Sequence, residues 1–319
     1  MADPLAGVEL PVVQAGMGGG IARHELAAAV SEAGGLGTIG HAEPPALERE
    51  LTAARALTDR PVAVNLLLPF ARPEHWRVAA AASLVVTFWG EPRRRTDRPW
   101  LHQCGSVDEA LAARAAGADG VIVQGEEAGG HVRGRLPALE LLERARRALP
   151  EDYPVLLAGG VATADDVRAA LSGGARAAVC GTRFVLSEES RAHPEYRRRL
   201  VAGTETLLTE LFALGWPEAP HRVLPNAATE RWLGRSGGVA TAVRAVSRGA
   251  SPLAARLPPR LQRAALERQR AGLPLLSPAP PTDDGPASLV DAGPLYAGTT
   301  VARIADVRPA SEIVAALTS

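Results

Sequence analysis

The chain has 319 residues, 46% of them hydrophobic, with 35 basic side chains balanced by 35 acidic ones and a pI near 7.1. That length suits one barrel-sized core plus an appendage, and the lack of net basic charge argues against nucleic acid as the main partner. Every basic side chain is arginine, so neither a lysine Schiff base nor a Gly-Lys-Ser/Thr phosphate loop can form. In chain order, apolar strand-like runs then alternate with helix-like runs, the pattern of parallel α/β structure. Strand Pro11–Ala15 precedes a helix over 24–33 that stops at Gly34-Gly35. Strand Leu36–Ile39 precedes a helix over 45–57, and strand Pro61–Leu67 a helix over 74–81. Strand Leu84–Phe88 is followed by an arginine-rich stretch with no helix pattern. Strands Trp100–Gln103 and Gly120–Gln124 are followed by helices over 107–116 and 138–149. Strand Pro154–Ala158 precedes a helix over 164–171, and strand Ala177–Cys180 a helix over 188–200.

Eight such units in about 200 residues fit a closed (β/α)₈ barrel (the TIM barrel) better than an open, doubly wound sheet, which is the alternative. The expected division is a barrel over 1–202 and a C-terminal helical and irregular extension over 203–319. The extension holds helices over 205–214, 259–271 and 311–317 and a Pro/Gly-rich stretch over 273–286. It reads as a lid or an oligomer arm, consistent with a homodimer. No stretch reaches the ~18 apolar residues of a membrane span, and the start Met-Ala-Asp-Pro has no signal-peptide pattern. The expected location is therefore the cytoplasm, with Cys104 and Cys180 reduced; their separation also gives no metal-type spacing.

Active sites of such barrels gather on the loops after the strands. After the first strand, Gln14-Ala15-Gly16-Met17-Gly18-Gly19-Gly20 has more glycine than a turn needs, which favours close approach of a flat ligand. Asn65 stands in an apolar run near the end of the third strand; a buried amide there needs partners, and a ligand edge could supply them. The loop after the sixth strand reads Gln124-Gly-Glu-Glu-Ala-Gly-Gly130-His131-Val-Arg-Gly. His131 is the leading catalytic candidate, because imidazole is the side chain most readily tuned for proton transfer near neutrality. The other histidines lack a comparable glycine setting. Gly159-Gly160 after the seventh strand and Gly181-Thr182 after the eighth occupy the usual phosphate-binding position of these barrels. No metal site and no Gly-x-Ser-x-Gly nucleophile elbow are evident, so the chemistry calls for a borrowed reactive group.

With these segments in that order, including His24-Glu-Leu-Ala-Ala-Ala-Val-Ser-Glu-Ala-Gly-Gly-Leu-Gly37, Pro61-Val-Ala-Val-Asn65 and Gly181-Thr-Arg-Phe184, the chain resembles the nitronate monooxygenases. The resemblance runs over about residues 11–190. It implies a TIM barrel holding FMN without a covalent bond. It places Met17 with its neighbours Ala15 and Gly16 at the isoalloxazine edge, has Asn65 and Gln103 hydrogen-bond the ring, and counts Gln124 and Gly130 among the cofactor-binding residues. Gly159, Gly160, Gly181 and Thr182 would bind the phosphate, and His131 would match the active-site histidine. The implied reaction consumes a small nitronate or nitroalkane and O₂ and yields a carbonyl compound and nitrite. His131 would serve either as a neutral base or as an imidazolium that holds the anion. The alternatives are an NAD(P)H-dependent flavin reductase acting on a quinone or an enoyl thioester, and a non-catalytic flavin-binding barrel. One departure stands out: where the family often has Gly-Gly-His-Arg-Gly, this chain has Gly129-Gly-His-Val-Arg-Gly134.

Overall fold

The computed structural model describes residues 3–234, 238, 239, 241–256 and 259–319. The chain divides into two compact units. The first comprises residues 1–128, 133–190 and 306–319, and the second comprises 129–132 and 191–305. The expected boundary at 202/203 thus falls inside the second unit.

Eleven strands occur among the described residues. They are β1 (Val12–Gln14), β2 (Gly37–Ile39), β3 (Val62–Leu67), β4 (Leu84–Phe88), β5 (Trp100–Cys104), β6 (Gly120–Gln124), β7 (Gly130–His131), β8 (Val155–Ala158), β9 (Ala178–Cys180), β10 (Leu207–Thr209) and β11 (His221–Val223). In the first unit, β2, β3, β4, β5, β6, β8, β9 and β1 follow one another as parallel neighbours. The ring then closes: the Gln14 N–H donates to the Leu36 carbonyl and the Leu36 N–H to the Val12 carbonyl, each at 2.9 Å. This is the expected TIM barrel.

Strand side chains alternate between faces with a period of two. One file, containing Val13, Ala63, Leu84, Val86, Leu101, Ile122, Leu156, Ala158 and Val179, forms the cluster inside the ring. The other file, with Val12, Trp100, Cys104, Val121, Val123, Val155, Leu157 and Ala178, meets the surrounding helices. Trp100 and His102 belong to this outer file; Trp100 Nε1 donates to Thr87 Oγ1 and His102 Nδ1 is bonded to the same hydroxyl, both at 2.7 Å.

Helices His24–Glu32, Pro44–Leu57, Pro73–Ala79, Val107–Ala115, Ala138–Ala148 and Ala164–Ser172 follow β2's predecessor, β2, β3, β5, β6 and β8 within a few residues of the expected bounds. Residues 89–99 carry no helix, as expected. Two caps explain sharp helix starts. Ser106 Oγ accepts from the Glu109 N–H, and Thr163 with Asp166 forms a reciprocal capping box.

The helix expected over 188–200 is a correction. After β9 the barrel has only the short helix Thr182–Val185, while Pro194–Ala202, with proline at its first position, belongs to the second unit. The outer wall is completed instead by Ala310–Leu317, which packs against helices 24–32 and 164–172 and contributes Ala310, Ile313, Val314 and Leu317 to the core. The Glu189 carboxylate accepts from the Ala310 N–H and so anchors its start.

The second unit holds an antiparallel sheet in the order β10-β11-β7. Residues 207–209 were expected in a helix over 205–214; they form strand β10, because the Thr-rich sequence suits an extended backbone and β11 offers a partner. The unit's core is Leu211, Phe212, Val223, Ala228, Val239, Val243 and Leu276. Three α-helices of this unit, Ala227–Trp232, Thr241–Arg256 and Leu289–Ala292, had no counterpart in the sequence reading. Ala227–Trp232 starts with an Asn226–Thr229 capping box, and Thr241–Arg256 contains Pro252. The helix expected over 259–271 spans Pro259–Glu267. None of the described helices is long and apolar enough to cross a membrane.

If the final helix is a wall of the barrel, Ile313→Ala should behave as a core truncation. We expect it to destabilise the folded chain by about 2–5 kcal/mol in reversible denaturant unfolding; a loss below about 0.5 kcal/mol would show that the helix is peripheral.

Candidate active site

The inward file of the barrel, followed to the carboxyl ends of the strands, changes from aliphatic to polar or small. Ala63 leads to Asn65, Leu101 to Gln103, Ile122 to Gln124, Val13 to Ala15 and Val179 to Gly181. Strand periodicity alone therefore gathers most of the expected cofactor contacts at one end of the ring. Asn65 is buried, and its Oδ1 has no hydrogen-bond partner among the described residues. An unsatisfied buried carbonyl oxygen costs free energy unless a donor arrives from elsewhere, so this atom marks a place for an N–H or O–H donor of a ligand. Gly16 lies directly against Asn65: a Cβ there would stand 2.3 Å from Asn65 Cβ. Gln103 is half-buried at the same end of the ring, on β5.

Two further turns border the same end. Gly159 and Gly160 adopt φ of +100° and +76°, a left-handed pair that disfavours any side chain. β8 and β9 are neighbours, so this turn lies beside Gly181-Thr182. Gly181 has ordinary φ, and a Cβ on it would find only Ala15 Cβ, at 3.8 Å. The glycine at 181 thus leaves space that the protein does not itself require. Orphaned amide, open glycine and paired turns together suit a flat ring with a phosphate.

Not every expected contact has the expected surroundings. Met17 is half-buried and packs against the outer core, which leaves chiefly its backbone for a ligand. Gln124 Oε1 accepts from the Arg133 N–H at 2.9 Å, so this amide fixes the protein's own loop. Gly130 (φ +74°) pairs with Arg222 in the second unit's sheet and is not part of the barrel turns.

His131 also belongs to the second unit, facing His221 across β7 and β11. Its ring is stacked on Trp216 at 4.0 Å between centroids and 26° between planes. His221 and Tyr296 pack against it at 5.3 and 5.7 Å. Burial, reinforced by His221, holds the His131 pKa well below the usual imidazole value of 6.5. His221 is likewise pushed down to about 4 by burial. Its Nδ1 donates to the Ala219 carbonyl at 2.9 Å while Nε2 accepts from the Phe212 N–H at 3.3 Å, which fixes a neutral tautomer. Tyr296 Oη donates to the Pro278 carbonyl at 2.7 Å. Burial thus favours the neutral form of His131, whose ring is stacked among aromatic side chains of the second unit.

The sequence reading passed over His221, Trp216 and Tyr296, which lie 85 or more positions from His131 and carry no local motif. It also passed over His41, just after β2, which stacks on His75 at 4.8 Å and accepts from the Leu67 N–H at 3.4 Å. Burial, His75 and Arg72 lower its pKa to about 4. Among the described residues, His24, Glu25 and Glu50 have ligand atoms within 4.8 Å of one another, but His24 Nδ1 is already bonded to Glu50 at 2.6 Å.

The profile of the nitronate monooxygenase family matches residues 2–99 and 94–319. The chain belongs to the nitronate monooxygenase family. It is an oxidoreductase of that family. A probable nitronate monooxygenase of Bacillus subtilis is 29% identical over 258 residues, covering 64% of this chain and 74% of that protein. The (3aS,4S,5R,7aS)-5-hydroxy-7a-methyl-1-oxo-octahydro-1H-indene-4-carboxyl-CoA dehydrogenase of Mycobacterium tuberculosis is 32% identical over 254 residues, covering 75% and 70%. Among solved structures, a nitroalkane oxidase from Streptomyces ansochromogenes superposes with a TM-score of 0.73 at 28% identity, covering 98% of this chain and 96% of that one.

Gly16 and Gly181 give a matched test of the barrel end. Gly181→Ala should leave the melting temperature unchanged and weaken flavin binding, since its methyl enters open space. Gly16→Ala should weaken flavin binding and also destabilise the chain by about 1–3 kcal/mol, because the methyl collides with Asn65. Thermal denaturation and flavin titration of both variants check this; equal stability losses would contradict the geometry.

Proposed function

We propose that this member of the family oxidises alkyl nitronates, or their parent nitroalkanes, with O₂ to a carbonyl compound and nitrite, using FMN. The observation that carries the reading is His131, a histidine kept neutral by its aromatic surroundings on the excursion that leaves the barrel after β6. When bound, FMN supplies the redox chemistry with O₂ that no side chain of this chain offers. Asn65 Oδ1 would accept from a ring N–H of the cofactor, with Gln103 and the backbone of residues 15–17 beside it. The turns Gly159-Gly160 and Gly181-Thr182 would hold its phosphate.

His131 would take the α-proton of a neutral nitroalkane. A low pKa keeps the imidazole unprotonated across the neutral range, and stacking on Trp216 fixes the plane in which it can accept. The same features disfavour an imidazolium that holds the nitro group, the other role open to this residue. The proposed partners are accordingly a small substrate and O₂, and the proposed location is the cytoplasm.

The relative that acts on a CoA thioester supports a second reading, an NAD(P)H-dependent flavin reductase acting on a quinone or an enoyl thioester. Anaerobic mixing with NADH separates the two: prompt bleaching of the flavin would favour the reductase.

The purified chain should release one FMN on denaturation; recovery of FAD, or a colourless chain that does not take up FMN, would contradict the proposal. His131→Ala should keep FMN and lose about 10²–10⁴-fold in turnover of a neutral nitroalkane. Pre-formed nitronate should restore the rate, because its α-proton is already gone. For the wild-type enzyme the sign of the shift sets the pH profile. Since the His131 pKa is lowered, the acid limb of kcat/KM for the nitroalkane should lie below pH 6.5. A limb above 6.5 would show that protonated His131 is the ordinary state.

A further inference from the structure

The four residues Gly129–Val132 leave the barrel's loop for the second unit, and Arg133 is the first residue back. The return point is held unusually firmly. The Arg133 N–H donates to Gln124 Oε1 at 2.9 Å, at the end of β6. Its guanidinium pairs with Glu109 and lies 5.0 Å above the ring of Trp89. Gly105 makes room for it: a Cβ there would stand 2.4 Å from the Arg133 carbonyl carbon.

Each partner is itself constrained. Glu109, in the first turn of helix Val107–Ala115, accepts from the Gly105 N–H at 2.7 Å, and its own N–H donates to Ser106 Oγ at 3.2 Å. Trp89, after β4, has φ of 65°. A bulky residue enters the left-handed region only when its surroundings over-determine it, and such outliers concentrate at functional sites. The Phe88 ring meets the Trp89 ring edge-on at 5.5 Å. Only a planar guanidinium can stack on an indole face and pair with a carboxylate at the same time; a lysine ammonium has no such face.

The geometry points to Arg133 as a positioning residue for His131, clamped by Glu109 and Trp89 so that the short excursion carrying the base is returned to a fixed point on the barrel. This rests on the proposed role of His131 as the proton-accepting group. His131 lies two residues upstream, at about 3.3 Å per residue in extended chain. A shift of the anchor therefore has little chain in which to dissipate before it reaches the imidazole. A partly exposed ion pair alone would add little. Its pairing with the strained Trp89 and with the backbone of Arg133 is what suits a register device.

The test uses the FMN-loaded enzyme with Arg133→Ala, Arg133→Lys and His131→Ala. Turnover is measured with nitroethane, with its α-deuterated form and with pre-formed ethyl nitronate, beside flavin content and melting temperature. A misplacement of about 1 Å can cost up to about 10²-fold, so Arg133→Ala should lose about 10–10²-fold on nitroethane with a full deuterium isotope effect. It should stay within about twofold of wild type on the nitronate and keep its flavin. Arg133→Lys, which keeps the charge but loses the stacking plane, should fall between the two and serves if Arg133→Ala does not fold. Equal losses on both substrates would make Arg133 merely structural, and an unchanged nitroethane rate would remove the role altogether; either result overturns the proposal. If His131→Ala loses nitroethane turnover while neither Arg133 variant does, positioning fails and the base assignment stands. If His131→Ala loses none, the base assignment fails and positioning falls with it.

Discussion

The barrel depends on one closure: the pair of backbone hydrogen bonds that join Leu36 to Val12 and Gln14. In a parallel sheet with free edges, the N–H and C=O groups of β1 and β2 would face solvent, and the inward file would have no opposite wall. With the ring closed, Val13 and Leu36 pack with Leu101, Ile122 and Leu156 into a single interior. The positions one step further along each strand then converge by necessity. Asn65, Gln103 and Gly181 share that end of the ring because they continue an alternation set by aliphatic packing below them, and Asn65 Oδ1 is left without a partner among the described residues.

The second unit surrounds the His131 imidazole with its own side chains. Among Trp216, His221 and Tyr296 the same group is desolvated and its plane is fixed. The neutral state of His221 matters here, since its two ring nitrogens are bound to backbone and the ring does not compete for the proton. Polar and glycine-rich turns thus belong to the barrel unit, and the aromatic surroundings of His131 to the second.

Much of the barrel was legible in the sequence because its signals are local. Runs such as Leu84-Val-Val-Thr-Phe88 and Gly120-Val-Ile-Val-Gln124 read as buried strands, and Gly34-Gly35 reads as a helix stop. Asn65 and His131 were conspicuous because they depart from their surroundings. What escaped depended on partners distant in sequence. Residues 207–209 are a strand only because β11 pairs with them, and His221 gains its role only from facing His131 across that sheet. The left-handed backbone of Trp89 has no sequence mark at all, and neither does the hydrogen bond from the Arg133 N–H to Gln124 Oε1. The helix that completes the wall could not be placed either, since its packing partners, helices 24–32 and 164–172, lie far away in sequence.

That last helix has a consequence for biosynthesis. The ribosome makes residues 306–319 only after the whole second unit, 191–305, has been synthesised. Until then the apolar faces of helices 24–32 and 164–172 that receive Ile313 and Val314 remain uncovered in the nascent chain. The barrel therefore cannot mature by the usual N-to-C order of domains. Its outer wall is completed only when residues 310–317 have been made, so a chain that stops within 191–305 leaves that apolar seam uncovered.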